Sequence, residues 1–80
     1  MNVQVAKNAH YSIRPVEAGL KPQEWFDRMK VAKAWVMENR FQTYWSGIRD
    51  PKKAESAAKR ASDKSGIPFK VHKQYSVSIF

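Results

Sequence analysis

The fold of this 80-residue chain is decided by residues 50–68, which read DPKKAESAAKRASDKSGIP. Asp50 and Pro51 are preferred residues at the N-cap and at the first position of a helix. Gly66 is typical of the left-handed residue that ends a helix, and Pro68 prevents its continuation. Between them, four alanines have the i, i+3, i+4, i+7 spacing of one helix face. We therefore predict a helix whose buried side consists of Ala54, Ala57, Ala58 and Ala61.

A second helix is predicted upstream, from Pro22 to about Glu38. Its apolar residues follow helical spacing, and Asn39 is a suitable left-handed end. The alternative is a hairpin whose first strand begins at Val31, but the alanines within residues 31–38 favour the helix. The expected buried face consists of Trp25, Met29, Ala32 and Val36.

Three other segments are predicted as strands, because β-branched and aromatic residues alternate in them with polar ones. The first covers residues 2–16 and divides into two short strands if residues 7–9 form a turn. The second covers residues 40–46, and the third covers residues 69–80, with a turn or a bulge at Gln74. The predicted fold class is α+β. It is a small single domain of approximate order β(β)αβαβ, in which two helices pack on one face of a small sheet.

Catalytic chemistry has little support in the sequence. The absence of cysteine excludes disulfides, zinc ribbons and thiol nucleophiles. His10 and His72 could together bind a metal or transfer protons. However, no carboxylate stands at a familiar spacing from either histidine, and no known catalytic motif occurs. We therefore predict a protein that is not an enzyme, with no catalytic residue, no metal and no cofactor.

Charge is the strongest global property of the sequence. Fifteen Lys and Arg residues against seven Asp and Glu residues give a net charge of +8, which attracts nucleic acid or an acidic protein surface. Eight of the basic residues lie within residues 49–73, beside only three acidic ones. No RRM, KH or helix-turn-helix motif is present, so sequence specificity should be low. We predict a nucleic-acid-binding accessory factor, for DNA or RNA, that contacts phosphates through Arg49, Lys52, Lys53, Lys59, Arg60, Lys64, Lys70 and Lys73.

Aromatic residues support an alternative function. They number ten and are concentrated in the middle third of the chain. Trp25, Phe41 and Trp45 are predicted core side chains, because an alanine-faced helix needs bulky neighbours. Trp35 and Tyr44 lie off the predicted apolar faces and are candidate exposed partner-binding residues. The alternative is a small regulator or inhibitor of the kind that phages and plasmids encode, binding an acidic or nucleic-acid-handling protein through an aromatic patch with a basic rim.

Signals for export or membrane insertion are not found in the sequence. The first residues lack the apolar stretch of a signal peptide, and no apolar run is long enough to span a bilayer. The upstream helix is amphipathic, but its position between two predicted strands favours ordinary packing over a membrane surface. We predict a cytoplasmic protein with no membrane partner. An exposed sheet edge would allow a homodimer.

Overall fold

The computed structural model describes residues 5–79, with side chains from residue 8 to residue 75. Within this range the chain order is one strand, three helices and a second strand (β–α–α–α–β). The α+β class is confirmed, whereas the predicted strand at residues 40–46 is wrong, because most of that segment is helical. The elements are β1 (Val5–Pro15), α1 (Pro22–Glu38), α2 (Gln42–Ser46), α3 (Pro51–Ser65) and β2 (Phe69–Ile79).

β1 and β2 form a two-stranded antiparallel sheet. Val5 stands opposite Ile79 at one end of the ladder, and Pro15 stands opposite Phe69 at the other. Every residue between them has a partner in the same register, so neither strand contains a bulge. Each strand is eleven residues long, about twice the usual length of a strand.

The continuous ladder corrects two details of the strand predictions. No turn occurs at residues 7–9, and Gln74 lies inside β2 rather than in a turn or at a bulge. Both segments alternate well enough to form single strands, and pairing along their whole length satisfies more backbone groups than two short hairpins would. The predicted strand residues 2–4 and 80 lie outside the described residues.

Residues 31–38 belong to the helix α1 and do not form the first strand of a hairpin. Ala32 and Val36 are fully buried, as predicted, whereas Trp25 and Met29 are half-buried. The left-handed residue that ends the helix is Arg40, with a φ of 62°, one position later than predicted.

α2 occupies the place of the predicted strand. Phe41, Tyr44 and Trp45 have a spacing that brings all three rings to one side of a helix, whereas a strand would separate Tyr44 from the others. Phe41 is buried, and the other two rings pack against the core. The Phe41 amide donates to the Val36 carbonyl at 2.8 Å, which fixes the start of α2 against the end of α1. Burial of the three rings outweighs their β preference.

The helix predicted between Asp50 and Gly66 is present as α3. The Asp50 carboxylate accepts a hydrogen bond from the Lys52 amide at 3.0 Å, and Gly66 is left-handed with a φ of 75°. The Ser62 hydroxyl accepts from the Phe69 amide at 2.8 Å, which ties the helix to β2. Small side chains on the buried face let the helix backbone approach its neighbours closely. That face consists of Ala54, Ala57, Ala58 and Ala61.

The core joins all three helices to the sheet. Its sheet residues Ile13, Phe69 and Val71 share one face, because Ile13 stands opposite Val71 and Phe69 lies two residues from Val71 in β2. Ser12 and Ile13 are adjacent in β1, so their side chains point to opposite faces. Both are buried, with 2% and 0% exposure, so both faces of the sheet are covered at this point. None of the helices described is both long enough and apolar enough to cross a bilayer. The core cluster consists of Ile13, Ala32, Val36, Phe41, Ala57, Ala58, Ala61 and Phe69.

Candidate nucleic-acid interface

A groove of about 470 Å³ lies where α2 meets the beginning of α3. Three exposed basic side chains line it: Arg40, Arg49 and Lys53. Tyr44 contributes a half-buried ring to the wall, and Asp50 is the one acid among the lining residues. We call this feature the α2–α3 groove. Its basic residues outnumber its acid three to one, so it attracts anions.

Arg60 adds a fourth cation beside the groove. Its Nη2 atom lies 3.5 Å from the Tyr44 hydroxyl, and its guanidinium carbon lies 5.3 Å from the centre of the Phe41 ring. Exposed cation–π contacts are worth about 0.5–1 kcal/mol, so they orient the side chain more than they stabilise the fold. The guanidinium keeps unused N–H donors for an anion, because the one long bond to Tyr44 occupies only one of its five.

The positions of these cations follow from local structure. Lys53 and Arg60 are separated by seven residues of α3 and therefore lie on the same side of that helix. Arg49 directly precedes the Asp50 cap. Arg40 occupies the left-handed residue between α1 and α2, where Gly or Asn is the usual choice and other residues cost about 1 kcal/mol or more. An arginine at this strained position departs from local preference, as functional residues often do.

Three other predicted phosphate contacts lie on α3 but do not line the groove. Lys52 and Lys59 are exposed on the outer side of the helix, away from the alanine face, and Lys64 is exposed in its last turn. They extend the basic surface of α3 beyond the groove.

The last two predicted contacts lie on β2. Lys70 is 3.8 Å from the Glu17 carboxylate, which partly neutralises it. Lys73 lies over two tyrosine rings, with its Nζ 5.0 Å from the centre of Tyr75 and 5.9 Å from that of Tyr11. The Tyr75 hydroxyl first, and Tyr11 after it, raise the pKa of the Lys73 ammonium. The eight basic residues therefore do not form one continuous patch: only Arg49, Lys53 and Arg60 gather at the groove.

The predicted partner-binding aromatics are less exposed than expected. Trp35 packs against Phe41 and Phe69, with ring centres 5.3 and 6.1 Å apart. Tyr44 lies 5.7 Å from Phe41 by the same measure. Both side chains are half-buried against the core. The expectation that they lie away from the core is wrong, although Tyr44 does reach the groove.

The predicted core aromatics differ from one another. Phe41 is buried, as predicted, whereas Trp25 and Trp45 are half-buried. Arg14 covers the Trp45 ring at 4.2 Å and donates to the Trp45 carbonyl at 2.8 Å. Burial lowers the pKa of Arg14, but a guanidinium remains charged at any physiological pH. Arg14 thus has a structural partner and is not part of the basic groove.

The two histidines lie on neighbouring strands. His10 stands opposite Gln74 and His72 stands opposite Ser12, so the histidines are offset by two positions in the ladder. Among the side chains described, no group of three His, Asp or Glu residues is close enough to hold a metal ion.

The α2–α3 groove carries side chains of the types that bind anions. Guanidinium groups match the geometry of phosphate oxygens, and an ammonium adds a compact positive charge. Sequence reasoning missed Arg40, because residues 40–46 were predicted as a strand and the basic run was read from residue 49 onward. Comparisons of the chain with models of protein families, with curated proteins and with solved structures find no match.

Proposed function

We propose that this protein is a non-enzymatic nucleic-acid-binding accessory factor. The observation that supports the proposal is the convergence of Arg40, Arg49 and Lys53 on one groove, with Arg60 held beside Tyr44. These side chains contact successive phosphates of a nucleic-acid backbone, and binding releases the counterions condensed on it. The remaining basic residues on α3 and β2 do not line this groove, and they add to the overall positive charge. They are Lys52, Lys59, Lys64, Lys70 and Lys73.

Low sequence specificity follows from the kind of contact. Phosphate contacts position a protein on nucleic acid but do not read bases. α3 turns its alanines inward and presents lysines outward, so it offers few of the amide and hydroxyl side chains that read base edges. The proposal requires no cofactor or metal and places the protein in the cytoplasm, where nucleic acid is accessible.

The proposal is tested by fluorescence anisotropy with labelled DNA and RNA titrated across salt concentrations. The test variant reverses three groove cations (Arg49→Glu, Lys53→Glu, Arg60→Glu). The matched control reverses three exposed lysines at the start and on the surface of α1 (Lys21→Glu, Lys30→Glu, Lys33→Glu). Both variants change the net charge equally, so any difference between them reports position rather than charge.

We expect the groove variant to lose at least tenfold more affinity than the α1 control. The slope of log K against log salt should also fall by about 0.9 for each duplex phosphate contact removed, or about 0.7 for a single strand. Circular dichroism verifies that both variants fold. Equal losses in the two variants would mean that binding depends only on overall charge and would refute the proposal.

Binding of an acidic protein is the second candidate, and exposed apolar side chains on α1 favour it. Phe26, Val31 and Met37 are 62%, 58% and 46% exposed, and burial of apolar surface against a partner is favourable. In this candidate α1 makes the contact and the basic residues steer association. A partner that stays bound after nuclease treatment in high salt would support it. A partner lost on nuclease treatment would point back to nucleic acid.

An exposed sheet edge would allow a homodimer, but the charge on this edge opposes one. The edge of β2 that faces away from β1 pairs with no other strand among the described residues. Exposed Lys70 and Lys73 lie on β2, and edge lysines oppose strand pairing between copies. We therefore expect a monomer at micromolar concentration by sedimentation velocity, and a dimer at that concentration would contradict this expectation.

A further inference from the structure

Tyr11, Lys73 and Tyr75 form a patch on one face of the sheet. Lys73 stands opposite Tyr11 in the ladder, and Tyr75 follows two residues later in β2, so all three side chains project to the same face. The Lys73 Nζ lies between the rings, at the distances given above. We call these three residues the tyrosine–lysine patch.

The patch lies where the sheet changes from covered to open. Ile13 and Val71 form the neighbouring pair on the same face. Ile13 is buried in the core, and Val71 packs against it. Lys73 and Tyr75, by contrast, are exposed, and 59% of Tyr75 is accessible to solvent. The fold therefore gains little from an aromatic ring at residue 75, and the ring surface that Lys73 does not cover is open to a ligand.

The patch adjoins the α2–α3 groove. The Tyr11 amide donates to the Ile48 carbonyl at 2.6 Å, and the Ile48 amide donates to the Tyr11 carbonyl at 2.7 Å. Ile48 lines the groove, and Arg49 follows it in the chain. One backbone bridge therefore joins the strand that carries Tyr11 to a residue that lines the cationic groove.

We propose that the tyrosine–lysine patch stacks unpaired bases, so that the preferred ligand is single-stranded nucleic acid whose phosphates run along the α2–α3 groove. This inference rests on the proposed function and adds the class of ligand. Aromatic rings next to a cationic track are how proteins bind single strands without reading sequence. Bases within a duplex are stacked on each other and offer no free face to a tyrosine ring. The patch therefore discriminates against duplexes.

The test measures anisotropy with a labelled single strand and with the duplex of the same sequence. The variant is Tyr75→Ala, and the matched control is Tyr75→Phe, which keeps the ring and removes the hydroxyl. Because Tyr75 is exposed, neither change threatens the fold. A third probe is the same strand with abasic sites along its length, which keeps the phosphates but offers no bases.

We expect the wild-type protein to bind the single strand more tightly than the duplex. Loss of one stacked base costs about 5- to 150-fold in affinity, so Tyr75→Ala should weaken single-strand binding within that range. Duplex and abasic-strand binding should change less than twofold, and Tyr75→Phe should change all three less than twofold. Affinity that is unchanged in Tyr75→Ala, or that falls equally for strand and duplex, would overturn the inference.

The outcomes separate this inference from the proposed function. If groove charge reversal abolishes binding while Tyr75→Ala has no effect, the groove binds phosphates and the patch does not stack bases. If the wild-type protein binds neither strand nor duplex, the proposed function and the inference are both wrong.

Discussion

α3 and α2 meet at the same groove, but they are stabilised in different ways. α3 has fifteen residues, a side-chain cap at Asp50 and a left-handed Gly66, and it buries only alanines. α2 has five residues and no side-chain cap, and the buried ring of Phe41 fixes its beginning. The first helix is specified by its own sequence, whereas the second depends on rings that pack against other elements. Local signals therefore predict α3 and fail at α2.

Removing the ring at Phe41 tests this dependence most strongly. We expect Phe41→Ala to destabilise the protein by about 3–5 kcal/mol, since large-to-small changes in a core leave a cavity. A small domain has little more stability than that, so the variant should be largely unfolded. Urea denaturation followed by tryptophan fluorescence measures the effect. Tyr44→Phe, which keeps the ring and loses only the contact with Arg60, is the control and should cost little.

Enlarging the alanine face of α3 tests the close approach of that helix. Ala57 is fully buried, and we expect Ala57→Leu to cost about 1–3 kcal/mol through overpacking. Ser56→Leu is the control, because Ser56 is exposed and the added side chain does not enter the core. It should be nearly neutral. Equal free energies of unfolding for the two variants would show that α3 is not closely packed.

Replacing Arg40 should have the smallest effect on stability of the three changes. It should raise stability and lower the affinity for nucleic acid. Arg40→Asn places a residue that tolerates the left-handed region between α1 and α2, so we expect a gain of up to about 1 kcal/mol. Affinity for nucleic acid should fall, because the groove loses a cation. Arg40→Lys keeps the charge and the strained backbone, and it should change both quantities little. Urea denaturation measures the stability of each variant, and anisotropy measures its affinity. Loss of both stability and affinity in Arg40→Asn would contradict the conclusion that Arg40 is strained.

The sequence predicted much of the fold because the relevant signals were local. The caps at Asp50 and Gly66 and the alanine spacing defined α3, and alanines within residues 31–38 distinguished helix from hairpin. The segment at residues 40–46 was misassigned because its aromatics fit two periods, and only packing against the core selects between them. A single sequence does not show whether the helical or the strand spacing of these rings fits the rest of the core.

The candidate site was harder to predict than the fold. Arg49, Lys53 and Arg60 were found from charge alone, since they lie in one basic run. Arg40 was missed because its place beside the groove depends on α2. Tyr11 and Tyr75 were missed because their proximity depends on the ladder register, which joins distant parts of the chain. Trp35 was misjudged because its ring packs against Phe69, a contact that helix periodicity does not reveal.

The sheet has a consequence for how the protein folds. Its two strands are the first and last described elements, so each pairing between them closes a loop that contains all three helices. Such contacts are slow to form, because the chain must lose loop entropy before they are made. The Pro15–Phe69 pair closes the shortest of these loops, and each later pair lengthens the loop only slightly. We therefore expect the helices to form early and the ladder to close late, beginning at its Pro15–Phe69 end.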